Sequence, residues 1–175
     1  MFRNIILIIL ASTVISSCAS LTEPGTIYKI ALNNVKEKNL DSAFMNFREL
    51  ARDYPNSPYS RNARFAMAEY LFTKKDYYDS LREFVSIIED FPNTSQALFA
   101  KAIVYKALSE FSSKEIEGLS SKIKREFFAQ PIILVFSEYK TKSFKTLLGS
   151  HYTIKDYVDR VEIFKDNEIF LKITP

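Results

Sequence analysis

The sequence predicts an all-α fold in which helical hairpins stack into a solenoid. The chain has only 3 glycines in 175 residues, which disfavours the turn-rich β-sandwiches and barrels. One turn sequence occurs twice, as RDYPNSPYS at 52–60 and EDFPNTSQA at 89–97. Pro55 of the first turn and Pro92 of the second are 37 positions apart (92 − 55). The residues before each turn place apolar side chains at helical spacing. A repeat of this length, built from helices, indicates a solenoid.

The composition is that of a globular protein rather than a nucleic-acid binder. Hydrophobic residues make up 47% of the chain and charged residues 26%, and the net charge is +3. A local excess of Lys and Arg lies in residues 114–145, but no DNA- or RNA-binding motif accompanies it. We therefore interpret this stretch as a solvated helix face and expect neither a nucleic-acid partner nor a small-molecule substrate.

The first residues predict a signal peptide over 1–17. The apolar run at 5–15 is too short for a membrane span, which needs about 20 residues, and it suits the apolar region of a secretory leader. The sequence Ile15-Ser16-Ser17-Cys18 resembles the lipobox of bacterial lipoproteins. That resemblance implies cleavage before Cys18, acylation of Cys18 with palmitate among its acyl chains, and a lipid-anchored linker at 18–24. An uncleaved helix or a free thiol is the alternative interpretation.

The residue after the cysteine bears on where the anchor lies. Ala19, and not Asp, follows Cys18. In lipoproteins of bacteria with two membranes, the resemblance favours export to the periplasmic face of the outer membrane. Two or three acyl chains give stable anchoring, where a single chain is marginal.

The two repeated units predict their own helix boundaries. Asn39 and Asp76 are N-cap residues, and one buried stripe follows each of them at i, i+4 and i+7. The stripes are Ala43, Phe47 and Leu50 in the first unit and Ser80, Phe84 and Ile87 in the second. Pro55 and Pro92 end these helices. Ser57 and Thr94 are then expected to cap the next helices, with Pro58 at a first helical position.

The same residues resemble the tetratricopeptide repeat, whose small, small, aromatic and Pro positions have this spacing. The matching residues are Ala31, Ala43, Phe47 and Pro55, and then Ala68, Ser80, Phe84 and Pro92. Within lipoproteins, the long Pro-containing turns are similar to those of the BamD family of the outer-membrane β-barrel assembly machinery. This resemblance covers roughly residues 18–112. The chain looks shortened, because it has fewer repeats than that family generally carries.

The remainder of the chain divides at about residue 128. Residues 95–112 and 114–128 predict two helices of a degenerate third repeat, which gives a repeat domain over 25–128 and a C-terminal extension over 129–175. In the extension we expect a helix over 132–148, although its β-branched start leaves a strand possible, and a short helix over 153–164. A strand is predicted at residues 168–173. A hairpin that pairs this strand with 161–165 across Asp166-Asn167 is one arrangement for it.

No arrangement of residues predicts catalysis, a metal site or a cofactor. Cys18 is the only cysteine and His151 the only histidine, which excludes a Cys/His metal cluster. The three glycines are scattered, so no phosphate-binding glycine loop is present. His151 is therefore expected to be a surface residue, and the protein is not expected to be an enzyme.

Function is expected to depend on a protein-binding surface. In tetratricopeptide solenoids, the first helices of successive repeats line a concave groove, and the resemblance carries that partner-binding role onto eight positions here. They are Tyr28, Leu32, Val35, Phe65, Glu69, Phe72, Phe99 and Lys106. Packing between helices is the alternative role for these aromatic and aliphatic side chains.

The resemblance implies a periplasmic scaffold of the β-barrel assembly complex. Its expected partners are the periplasmic domain of the outer-membrane β-barrel insertase and other assembly lipoproteins. The alternative is a scaffold of the same build that serves cell division, cell-wall synthesis or pilus assembly, since lipoproteins of those systems share the Pro-containing turn.

The lipid anchor can be tested by one substitution. Cys18→Ser removes the acylated sulfur, so we expect a chain that no longer partitions into detergent in a phase-separation assay. If this variant still fractionates with membranes in high salt, the anchor lies elsewhere in the chain.

Overall fold

The computed structural model describes residues 23–110, 141–157 and 159–174. The predictions for the signal peptide, for Cys18 and for the helix at 114–128 lie outside these residues. Five helices are described first: α1 (Pro24–Lys36), α2 (Leu40–Asp53), α3 (Ser60–Thr73), α4 (Tyr77–Asp90) and α5 (Ser95–Glu110). Four strands follow: β1 (Thr141–Lys145), β2 (His151–Asp156), β3 (Val161–Lys165) and β4 (Glu168–Ile173).

Helices α1 and α2 form one hairpin, helices α3 and α4 form the next, and α5 packs on α4. Ala31, Ala43 and Ala68 have no exposed surface, so two helices approach closely at these positions. The Ser80 hydroxyl lies in the equivalent tight contact and donates a hydrogen bond to the Ala68 carbonyl at 2.8 Å. The predicted helical-hairpin register is confirmed by this burial.

The two hairpins repeat each other in backbone geometry. Each second helix begins at a side-chain cap: Asn39 accepts from the Ser42 amide and Asp76 from the Asp79 amide. The tight turns before these caps contain Lys38 at φ 59° and Lys75 at φ 66°. These two lysines take the left-handed conformation in which glycine is usual after a helix. Neither turn contains a glycine, so the sequence does not indicate the left-handed conformation, and only the structure identifies the turn type.

The two Pro turns begin alike and then diverge. The residues before the prolines have nearly equal dihedrals, with Tyr54 at φ −132°, ψ 56° and Phe91 at φ −133°, ψ 50°. After Pro92, the Thr94 hydroxyl accepts from the Ala97 amide at 3.2 Å, as expected for a cap. The expectation for Ser57 and Pro58 is wrong, because α3 begins only at Ser60 and has no side-chain cap.

The all-α fold class, with a C-terminal extension that is helical apart from one short strand, is wrong for the C-terminal part. The four strands form an antiparallel sheet in the order β1-β2-β3-β4. Strand β1 replaces the end of the helix expected over 132–148, and strands β2 and β3 replace the helix expected over 153–164. The sequence of 153–164 is ambiguous because its apolar residues fit both helical and alternating spacing. The pairing of β2 with β1 and of β3 with β4 stabilises the strands.

The hairpin between β3 and β4 confirms the strand predicted at 168–173 and its pairing with 161–165. Asp166 and Asn167 have φ angles of 52° and 71°, as the tightest hairpin turns require. The hairpin between β1 and β2 turns at Gly149, whose φ is 99°. The sheet buries Tyr152, Ile154 and Ile163 in the same core as α3, α4 and α5.

The aromatic residue of each repeat is expected to be essential for stability. Phe84 has no exposed surface and meets the Phe65 ring edge to face at 5.3 Å. Phe84→Ala should lower the free energy of unfolding by ~3–5 kcal/mol, measured by chemical denaturation. Tyr78, 49% exposed on the same helix, is the control, and Tyr78→Ala should change it by less than about 0.5 kcal/mol. Equal effects of the two substitutions would mean that the repeat register is wrong.

Candidate functional site

The first helices of the hairpins, α1, α3 and α5, form a face that we call the first-helix face. The C-terminal sheet lies on this face. The Phe144 ring of β1 meets Phe65 of α3 edge to face at 5.0 Å and stacks on Phe99 of α5 at 5.3 Å. Tyr152 of β2 meets Phe99 from the next strand at 5.6 Å. The protein therefore covers its own first-helix face with its own chain.

Three of the residues predicted for a partner-binding groove are buried under the sheet. Phe65, Glu69 and Phe99 are 1%, 4% and 0% exposed. The expectation of an open groove is therefore not met at these positions, because the aromatic rings of β1 and β2 fill the space. Their contact with a partner stays a prediction, and in this conformation they are inaccessible.

The other five predicted groove residues are half-buried at the margins of the sheet. Tyr28, Leu32 and Val35 pack at the α1 end, where Leu147 and Leu148 of the β1–β2 loop join the same core. Phe72 meets Tyr77 edge to face at 5.4 Å. At the α5 end, the Lys106 ammonium lies over the Phe170 ring of β4 at 4.9 Å.

Glu69 places a carboxyl group in this contact. Burial raises the pKa of Glu69, and the side chains of Thr146 and Ser150 and the charge of Lys165 only partly oppose this rise. Neither carboxyl oxygen has a hydrogen bond of ordinary length and angle to any residue that the structure describes. Asp166, a second acid nearby, raises the pKa further. The neutral form of Glu69 is therefore favoured beneath the sheet.

The buried tyrosine of β2 belongs to the same polar group. Burial is the main cause that raises the pKa of Tyr152, and the charges of Glu69 and Asp166 raise it further. The Lys165 ammonium lies 5.7 Å from the centre of the Tyr152 ring. Tyr152 therefore stays protonated, and the charge of Lys165 lowers the pKa of the neighbouring Glu69.

The second helices, α2 and α4, leave a cleft of about 420 Å³ open on the opposite side. We call it the α2–α4 cleft. Its floor is apolar, with Phe44, Met67 and Leu71 among the lining residues. Its charged lining residues are four arginines and two acids: Arg48, Arg52, Arg64, Arg82, Asp79 and Glu83. The cleft therefore combines an apolar floor with an excess of positive charge.

The arginines of the α2–α4 cleft differ in how they are held. Arg64 pairs with Asp90 at 2.6 Å, and Arg82 pairs with Asp79 at 3.0 Å. Arg48 is exposed, lies 5.8 Å from the centre of the Phe44 ring, and has no ion pair with any described residue. It is thus the arginine of the cleft whose charge is most available to a partner.

The described helices include none that is long and apolar enough to cross a membrane. In the same residues, His, Cys, Asp and Glu side chains nowhere gather in a group of three or more that could hold a metal ion. His151 is exposed at the start of β2.

Comparison with known proteins gives one match. The model of the YfiO family, described as outer membrane lipoprotein, matches residues 25–117, which is more than half of the chain. A comparison with curated proteins and one with solved structures gave no match. The matched range covers the five described helices except for Pro24 and ends before the C-terminal sheet.

The burial of Glu69 predicts a stability that falls with rising pH. An unfolded Glu ionises near pH ~4.3, whereas folded Glu69 holds its proton to higher pH. Below that pH, Glu69 carries its proton in both the folded and the unfolded state, so ionisation of Glu69 does not change the free energy of unfolding. As the pH rises, ionisation stabilises the unfolded state, and the free energy of unfolding falls. Glu69→Gln should remove this loss, so the difference between its free energy of unfolding and that of the parent should grow as the pH rises above about 4.

The control for this measurement is Glu168→Gln, at an exposed glutamate of β4. Unfolding by urea at several pH values gives the difference from the parent for each variant. A Glu69→Gln difference that stays constant with pH would mean that the carboxyl group is hydrated in solution and that the sheet does not cover it.

Proposed function

The chain belongs to the YfiO family of outer membrane lipoproteins, and from this premise we propose that it is a lipid-anchored periplasmic scaffold of the complex that assembles β-barrel proteins in the outer membrane. Its partners are the periplasmic domain of the β-barrel insertase and other assembly lipoproteins. Cys18 carries the anchor, and the chain binds proteins rather than catalysing a reaction. The observation that carries the proposal is the family match over the helical hairpins.

The α2–α4 cleft is the surface that we propose for the protein partner. The first-helix face is covered by the sheet, so a partner there would have to displace Phe144 and Tyr152 from the Phe99 ring. The α2–α4 cleft needs no such rearrangement. Its apolar floor suits an aliphatic or aromatic side chain, and its arginines suit a segment that also carries carboxylates.

Co-purification tests the function. A tagged, lipidated chain extracted from membranes in mild detergent should recover a large β-barrel protein, identified by mass spectrometry. The Cys18→Ser chain is the matched control, because it keeps the folded region but lacks the anchor, and we expect it to recover less. Recovery of no β-barrel protein by the lipidated chain would contradict the proposal.

A charge reversal tests the proposed surface. Arg48→Glu in the α2–α4 cleft should reduce recovery of the partner about tenfold, since a buried charge contact contributes at least ~1.4 kcal/mol and its reversal adds repulsion. Lys36→Glu, at the exposed end of α1, makes the same change of charge outside the cleft and should leave recovery unchanged. Equal recovery by both variants would place the contact elsewhere.

The Pro-containing turn also favours the alternative scaffold for cell division, cell-wall synthesis or pilus assembly. Depletion of the protein separates the two functions. An assembly role predicts that many outer-membrane β-barrel proteins decline together. Cell chaining or loss of pili with normal amounts of those proteins would favour the alternative and contradict the proposal.

A further inference from the structure

The C-terminal sheet carries its own backbone hydrogen bonds. These bonds join β1 to β2, β2 to β3 and β3 to β4. The turns bond within the sheet as well: the Thr146 amide donates to the Ser150 carbonyl and the Asp166 amide to the His151 carbonyl, both at 2.8 Å. The sheet can therefore keep these hydrogen bonds when it is not in contact with the helices.

One carboxyl group is enclosed where the sheet meets the first-helix face. The centre of the Phe144 ring lies 5.0 Å from that of Phe65 and 5.3 Å from that of Phe99. Glu69 follows Phe65 by four residues, which places it on the same side of α3, and it is 4% exposed. Neither of its carboxyl oxygens has a hydrogen-bond partner of ordinary geometry among the described residues. The contact between the rings therefore also buries an acid without a fixed partner.

The polar groups that act on Glu69 come from the sheet. Burial is the largest cause that raises the pKa of Glu69, and the charge of Asp166, in the turn between β3 and β4, raises it further. The hydroxyl groups of Thr146 and Ser150, in the turn between β1 and β2, and the charge of Lys165 of β3 oppose this rise. The balance favours the neutral acid while the sheet is in place.

The other elements at this contact were searched for charges that face Glu69. The residues one turn away on α3 are uncharged: Phe65, Ala66, Phe72 and Thr73. Tyr152 of β2 keeps its proton, because burial raises its pKa. At the α5 end of the contact, the Lys106 ammonium lies over the Phe170 ring of β4 at 4.9 Å. A negative charge on Glu69 thus depends on Lys165 and the two hydroxyl groups for its stabilisation.

Separation of the sheet from α3 would relieve a charge on Glu69. We call the form with the sheet in place the closed form and the form with the sheet separated the open form. In the open form water solvates the carboxylate, so Glu69 ionises near its ordinary pKa of ~4.3. In the closed form it keeps its proton to higher pH. The closed form is therefore most stable below about pH 4 and becomes less stable relative to the open form as the pH rises.

We propose that the C-terminal sheet is a lid on the first-helix face, and that loss of the Glu69 proton opens this lid while the helical hairpins stay folded. Local opening of one cooperative unit is common in proteins. Helices α2 and α4 keep their own caps at Asn39 and Asp76. The open form presents the rings of Phe65 and Phe99, so the first-helix face becomes more accessible as the pH rises. This inference does not rest on the proposed function.

Hydrogen exchange followed by mass spectrometry separates opening of the lid from global unfolding. The chain from residue 18 is used with Cys18→Ser, so that no acyl chain is attached, and each rate is corrected for the intrinsic pH dependence of exchange. Amides of the inner strands β2 and β3 report the lid, and amides of α2 report the hairpins. At about pH 7 we expect the slowest amides of β2 and β3 to be at least about tenfold less protected than those of α2.

Glu69→Gln should keep the lid closed. At about pH 7 its β2 and β3 amides should be at least about tenfold more protected than those of the parent, and below about pH 4 the two should agree. The matched control is Glu168→Gln, at the exposed start of β4, which removes a carboxylate outside the contact and should change protection less than about twofold. Misfolding cannot produce the expected result, because the Glu69 variant is expected to gain protection.

The two charged neighbours of Glu69 provide a second test. Asp166→Asn keeps an oxygen that can accept from the His151 amide, as Asp166 does at 2.8 Å, and it suits the left-handed turn. It should raise protection of the sheet amides about threefold at about pH 7, and Lys165→Gln should lower it about threefold. Both differences should disappear below about pH 4, where Glu69 keeps its proton in the open and the closed form.

Two outcomes would overturn the proposal. Equal protection of the β2, β3 and α2 amides of the parent at every pH would mean that the sheet and the hairpins unfold together. Equal responses to Glu69→Gln and Glu168→Gln would remove Glu69 from control of the lid. None of these samples contains a partner protein, so a failed co-purification would contradict the assembly role and leave the lid unaffected.

Discussion

The Phe144 ring, held between Phe65 and Phe99, is the contact on which the architecture depends. It joins the second hairpin, helix α5 and the first strand in one core, with ring centroids 5.0 and 5.3 Å apart. Aromatic pairs at these distances add about 0.5–1.5 kcal/mol beyond the area they bury. Without it, Phe65 and Phe99 would expose two large rings on the first-helix face.

Short solenoids have difficulty burying a continuous core, because about three repeats are needed. Here the sheet contributes the missing surface. Helix α5 is buried on several sides, at Phe99, Ile103 and Val104 among others, which one neighbouring hairpin could not achieve. The sheet thus makes a stable unit of two hairpins and a fifth helix, and it does so by occupying the face that longer solenoids leave open.

This arrangement redistributes the surfaces that can bind other molecules. The sheet covers the first-helix face at Phe65, Glu69 and Phe99, so the α2–α4 cleft is the surface that we propose for a protein partner. The cleft has a volume of about 420 Å³ and is lined by both apolar and charged side chains.

Sequence by itself determined the helical hairpins, because their signals are local. Each of these signals acts within a few residues. The positions that were predicted are the caps at Asn39, Asp76 and Thr94, the small residues at the close contacts and the repeated proline. The hairpin across Asp166-Asn167 is equally local. Tertiary structure decided the rest. Residues 153–164 became strands because pairing partners lie on either side, and the groove residues Phe65, Glu69 and Phe99 became core because a distant segment packs on them. Such choices depend on contacts between residues far apart in the chain, which helical periodicity cannot reveal.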